Sequence, residues 1–213
     1  MLTLSIIAAT TIMSLSQMTG SQPAQDNSFA TIGAQPASSD QLGALETYLP
    51  EEGMNGAWQY SRPMGTFRAT NMQDPGAIDY VFIQTNGKAR QAIETIVRID
   101  PKTPDGFAGI LFGYDQSTRY YYLYTLQADG GVKIYRRDGN GFSMMMETMP
   151  GGPVLGDNHL AIVEQADTLR FMLNGTSVGE IGQGGMDQGA VGIVSGGVVE
   201  ASFSKFAVHD LTN

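Results

Sequence analysis

The chain has 213 residues, 42% of them hydrophobic and 15% charged, with 27 glycines and a formal net charge of −9. That length and apolar content suit one domain with a core of its own, and the glycine content favours many tight turns. The acidic balance argues against nucleic-acid and anionic-membrane partners, and the absence of cysteine excludes disulfides, thiolate metal sites and cysteine nucleophiles.

Residues 1–19 carry no charge, and Leu2, Leu4, Ile6, Ile7, Ile12, Met13 and Leu15 form an apolar run of signal-peptide length without a basic flank. Ala24 before Gln25 fits a cleavage point, so residues 1–24 are predicted to be a signal peptide. The run is short and diluted by Ser and Thr, which disfavours a permanent membrane anchor. An exported domain of this size without disulfides suggests a bacterial periplasmic or extracellular setting. Residues 25–44, rich in Ser, Gln, Pro and Ala, are predicted to be a flexible linker. The folded domain is placed at residues 45–213.

From Ala57 onward a period-two alternation dominates. Strands are predicted at Ala77–Thr85, Ala89–Asp100, Gly106–Tyr114, Arg119–Gln127, Val132–Arg137 and Phe142–Met149. Further strands follow at His159–Gln165, Thr168–Asn174, Ser177–Ile181, Gly189–Ser195 and Val198–Val208. Asp129-Gly130, Asp138-Gly139-Asn140-Gly141 and Asn174-Gly175 are hairpin turns. About a dozen short strands and no helix beyond two turns predict an all-β fold, a sandwich or a barrel.

Gly106–Asp115 reads Gly-Phe-Ala-Gly-Ile-Leu-Phe-Gly-Tyr-Asp, and Arg119–Leu123 reads Arg-Tyr-Tyr-Tyr-Leu. With Gly131–Arg137, Asp157–Val163, Thr168–Gly175, Gly189–Ser195 and Phe203–Val208, this order of strands resembles the concanavalin A-like lectin/glucanase superfamily. Within it, the pattern resembles the secreted bacterial domains often labelled 3-keto-disaccharide hydrolase or laminin-G-like. The resemblance spans residues 56–210. It implies an antiparallel, two-sheet jelly-roll sandwich and a carbohydrate ligand. Such domains often carry an Arg where this chain has Gly113. The glucanase branch carries a cluster of acids on one strand, where this chain has only Glu94 and Asp100.

Glycoside hydrolysis needs two carboxyl groups flanking the bond, roughly 5–10 Å apart. Glu94 and Asp100 lie in phase on one predicted strand but about 20 Å apart, which is too far. A pair from two different strands cannot be seen in sequence. Gly175-Thr176-Ser177-Val178-Gly179 matches a nucleophile-elbow pattern, yet it sits on a hairpin signal with no helix to follow. His159 and His209 lie in no metal or catalytic motif. Asp138 and Asn140 place oxygens two residues apart, as calcium loops do, but the other ligands are missing. No cofactor is expected, although a structural calcium between loops is compatible with the superfamily. Of Met144, Met145, Met146 and Met149, half are expected to fill the core. Trp58 is expected to anchor it.

Tyr120, Tyr122 and Tyr124 alternate with Tyr121 and Leu123. If Tyr121 and Leu123 face the core, the three tyrosines form a row on the open face, suited to stacking against sugar rings. Glu94, Arg98 and Tyr135 are expected to share that face and to meet hydroxyl groups. The expectation is therefore an exported, non-catalytic module that binds glycan. A glycoside hydrolase of the same fold and a structural or protein-interaction sandwich are the alternatives. No pattern specifies an oligomeric state.

Overall fold

A computed structural model describes residue 45 and residues 58–84, 91–100, 102–103, 105–150, 155–165, 167–182 and 189–211. The expected signal peptide and linker lie outside the described residues. The strands are β1 (Trp58–Ser61), β2 (Thr66–Asn71), β3 (Ile78–Gln84), β4 (Gln91–Ile99), β5 (Phe107–Asp115), β6 (Tyr120–Gln127) and β7 (Val132–Asp138). They continue with β8 (Gly141–Thr148), β9 (Asn158–Gln165), β10 (Thr168–Leu173), β11 (Thr176–Gly182), β12 (Ala190–Gly196) and β13 (Val199–Asp210). Strands β3 to β13 match the eleven predicted ones within two residues at either end. The stretch after Ala57, for which no separate strands were delimited, contains β1 and β2.

The strands form two antiparallel sheets, one of seven in the order β1-β2-β13-β4-β9-β10-β11 and one of six in the order β3-β12-β5-β6-β7-β8. The fold is a two-sheet jelly-roll sandwich. No helix among the described residues is long and apolar enough to cross a membrane.

Local chemistry explains the turns. Asn174 and Gly175 both have positive φ, 50° and 79°, as a two-residue hairpin linking right-twisted strands requires. The chain then continues as β11, so the Gly-x-Ser-x-Gly pattern forms no nucleophile elbow. Asp138 and Gly141 pair across another tight hairpin, and Asp138 Oδ1 accepts the Asn140 N–H at 2.8 Å. Its other oxygen lies 3.3 Å from the Arg136 guanidinium, so both oxygens are engaged by protein groups. Among the described residues, no three His, Asp or Glu side chains are grouped to hold a metal ion.

The core lies between the sheets. From the larger sheet, Trp58, Phe67, Phe171 and Phe203 point into it; from the smaller one, Ile110, Phe112, Tyr122 and Tyr124 do. Trp58 is an anchor as expected, its ring tilted 5.6 Å from Phe203. Met146 packs at the margin of this core, while Met144 and Met145 on the edge strand β8 are exposed.

The alternation along β6 is in the expected phase, but its faces are reversed. Tyr122 and Tyr124 are the inward residues, whereas Tyr121 and Leu123 belong to a second apolar cluster on the outer face of the smaller sheet. Phe112 stacks on Tyr122 at 5.3 Å, and Phe171 reaches Tyr124 at 5.2 Å, so these tyrosines bridge the layers. Tyr124 is fully buried and its hydroxyl donates to the Met172 carbonyl at 2.9 Å. Tyr124→Phe is expected to lose about 1 kcal/mol in chemical denaturation, with the fold unchanged.

Candidate functional site

A groove of about 970 Å³ lies over the outer face of the seven-stranded sheet. Its floor follows from simple alternation. Trp58 and Tyr60, Phe67 and Ala69, Ala201 and Phe203, and Val97 and Ile99 point inward, so their neighbours point out. Register then aligns Gln59 with Arg68, Arg68 with Ser202, and Ser202 with Arg98. A second row aligns Ser61, Thr66, Ser204 and Ile96. Hydrogen-bonding side chains thus cross four adjacent strands without a break.

The groove's charges are paired. Arg68 donates to Glu200, and Arg98 Nε donates to Asp157 Oδ1 at 2.9 Å. Both pairs are well exposed to solvent, so they contribute little to stability and can exchange partners readily. Asp100 also lines the groove and bonds its backbone N–H to the Glu200 carbonyl at 2.8 Å. Residues so paired across strands have Cβ atoms about 5 Å apart.

Beside the groove floor lies a buried cluster. Ile96 pairs with His159, and Glu94, two residues before Ile96, is held between two rings. His159 Nε2 stands 2.6 Å from Glu94 Oε2 and His209 Nε2 stands 2.8 Å from Glu94 Oε1. An ionised carboxylate only accepts, so both rings donate from Nε2. Burial acts to raise the Glu94 carboxyl, but the two hydrogen bonds and the histidine charges outweigh it and hold it below its ordinary value. The cluster joins β13, β4 and β9.

The smaller sheet carries a different outer surface. Phe82, Tyr114, Tyr121 and Phe142 form a chain of rings with centroid separations of 4.9, 5.7 and 6.0 Å. Tyr80 adjoins Tyr114 at 5.5 Å. Burial first, and then a hydrogen bond with Tyr114, push the Tyr80 phenol upward. At the edge of this surface Asp115 accepts bonds from Ser117 and Thr118, which lower its carboxyl to about 2.

The six residues expected to share one open face are therefore divided. Tyr122 and Tyr124 lie in the core, and Tyr120 packs at its margin, its hydroxyl 2.6 Å from that of Tyr122. Tyr135 pairs with Leu123 on the outer face of the smaller sheet. Glu94 and Arg98 are on the other sheet, where Arg98 lines the groove and Glu94 is buried beside it. The reason is that both faces of β6 are apolar, so alternation alone cannot say which one is covered. Arg68, Ser202, Asp157 and Glu200 were missed. The signal of Arg68, Ser202 and Glu200 is the outward phase of β2 and β13, which only cross-strand register connects to Arg98, and Asp157 lies just before β9.

No family model and no curated protein matches the sequence. Among solved structures, the chain is similar to the carbohydrate-binding module CBM66 from Bacillus subtilis, with a TM-score of 0.60 and 16% identity over 73% of this chain and 92% of that one. It is equally similar to a protein of unknown function with a galectin-like fold from Bacillus subtilis, with a TM-score of 0.60 and 14% identity over 83% and 97% of the two chains. The carbohydrate recognition domain of Emp46p follows at a TM-score of 0.54 and 13% identity, over 72% and 85%. These likenesses show the fold, a two-sheet jelly-roll sandwich.

Proposed function

We propose that this chain is a carbohydrate-binding module that holds a glycan in the groove over the seven-stranded sheet. The observation that carries this reading is the unbroken row Gln59, Arg68, Ser202 and Arg98 beneath about 970 Å³ of open space. Hydroxyl-rich ligands need many donors and acceptors fixed by a rigid frame, and four hydrogen-bonded strands provide that frame. A fold shared with a carbohydrate-binding module and a carbohydrate recognition domain supports it. The uncharged apolar run at residues 1–19 supports action outside the cytoplasm.

The test is affinity electrophoresis through gels containing laminarin, xylan, levan or hydroxyethylcellulose. At least one polysaccharide should retard the protein. Ser202→Trp, which fills the middle of the groove, should weaken retention by more than about tenfold. Arg68→Ala should also weaken it while changing stability by less than about 1 kcal/mol, because its ion pair is exposed. Absence of retardation in every gel would overturn the proposal.

Hydrolysis is the second reading, and Asp100 facing Glu200 favours it. Their backbones are bonded across adjacent strands and both residues line the groove, an arrangement that no single strand offers. Against it, Glu200 is bound to Arg68 in an open groove and lacks the apolar enclosure that keeps a general acid protonated. Release of reducing ends by the wild type, absent in Glu200→Gln, would establish it.

A further inference from the structure

The groove has no exposed ring on its floor. Among the described residues that line it, Phe203 alone is aromatic, and its side chain is buried in the core. A sugar lying there meets no ring against which to stack its apolar face. What the groove offers instead is charge, in exposed pairs. We infer that it selects uncharged sugars by their vicinal diols, one held at Arg68 and Glu200 and another at Arg98 and Asp157. This selectivity rests on the groove being the glycan site.

Each pair is suited to share a diol. Arg68 on β2 donates to Glu200 on β13, and Arg98 Nε donates to Asp157 Oδ1. A guanidinium carries several N–H donors and a carboxylate several lone pairs, so a pair joined by one hydrogen bond keeps most of both for a ligand. The Arg98 and Asp157 side chains are 59% and 58% exposed, and a ligand reaches them without displacing other groups. Hydroxyls both donate and accept. One hydroxyl of a diol can accept from the guanidinium while its neighbour donates to the carboxylate, and neither charge is left unpaired beneath the ligand. Such bonds are charge-assisted and stronger than neutral ones. A carboxylate on the sugar would meet Glu200 or Asp157, and an ammonium would meet Arg68 or Arg98, so charge of either sign is disfavoured.

The spacing sets the direction of the ligand. Arg68 and Arg98 are both in register with Ser202, on the strands to either side of it. Two strand spacings put their backbones about 10 Å apart. That is longer than one sugar ring, so the two pairs meet different residues of one chain running across the strands. Ser202 lies between them with a small side chain, over which the glycan passes. The ligand class is thus a neutral polysaccharide whose inner residues keep adjacent hydroxyls free, as 4-linked xylan and 6-linked levan do. The 3-linked residues of laminarin have no such pair.

The test repeats the affinity gels with each polysaccharide before and after periodate oxidation and borohydride reduction. Periodate cleaves the carbon–carbon bond of a free vicinal diol and leaves 3-linked rings intact. Xylan or levan should retard the wild type and laminarin should not, and oxidation should weaken retention by more than about tenfold. Asp157→Asn keeps the shape of the side chain and removes its charge. It should weaken retention by about tenfold, and because Asp157 is exposed the variant should fold as the wild type does. Laminarin that retards the protein as strongly as xylan and levan, retention that survives oxidation, or an Asp157→Asn variant that binds normally would overturn the inference. The groove proposal would stand in each case, so long as Ser202→Trp still weakens retention. No retardation in any gel would overturn both.

Discussion

Replacing Glu94 by alanine is expected to destabilise the protein by about 3–5 kcal/mol, measured by urea denaturation at neutral pH. The side chain is almost fully buried, and it accepts from two buried rings belonging to two other strands. Alanine leaves both Nε2–H donors facing an apolar gap, so the penalty is that of two unsatisfied groups and not the net worth of one bond. The cost falls on β13, β4 and β9 together, which are consecutive in the larger sheet. A loss below about 1 kcal/mol would mean that the cluster is not closed in solution.

The same cluster sets a pH dependence of defined sign. The Glu94 carboxyl is held below its ordinary value of 4.5 in the folded state. Its contribution is therefore fully present above that value and is lost as pH falls through the folded-state value. The stability gap between wild type and Glu94→Ala should be widest near neutrality and narrow under acid conditions.

The second large effect is expected at Phe171. It is fully buried on β10 and meets Phe112 at 5.9 Å and Tyr124 at 5.2 Å, both on the opposing sheet. Phe171→Ala should cost about 3–5 kcal/mol, because the rings around it are held by their own strands and cannot close the void. The denaturation midpoint should fall with an unchanged slope, the sign of a native state that keeps its surface. Phe171→Leu, which keeps most of the volume, should cost less than half as much.

How far the chain was legible differs by level. Strand limits were legible because alternation and turn chemistry are local: Asn174-Gly175 can do little other than turn. The covered face of β6 was not, because Tyr120, Tyr122 and Tyr124 differ little in character from Tyr121 and Leu123. Phe171 decides it, and Phe171 lies far along the chain in the other sheet. Glu94 was singled out as a sugar contact, yet its partners are 65 and 115 residues away and no short-range pattern ties them to it. Arg98 lies on an outward position of β4, but its groove neighbours come from β1, β2 and β13 and not from β6. Asp100 and Glu200 illustrate the same limit, since a carboxylate pair split between strands leaves no spacing to read.

Strand β13 carries Ser202 to the groove floor and His209 to Glu94, and β4 carries both Arg98 and Glu94. The floor and the buried cluster thus share two strands. A change that frays the cluster would loosen the spacing of the floor, and its effect would appear as weaker glycan retention before it appeared as loss of the fold.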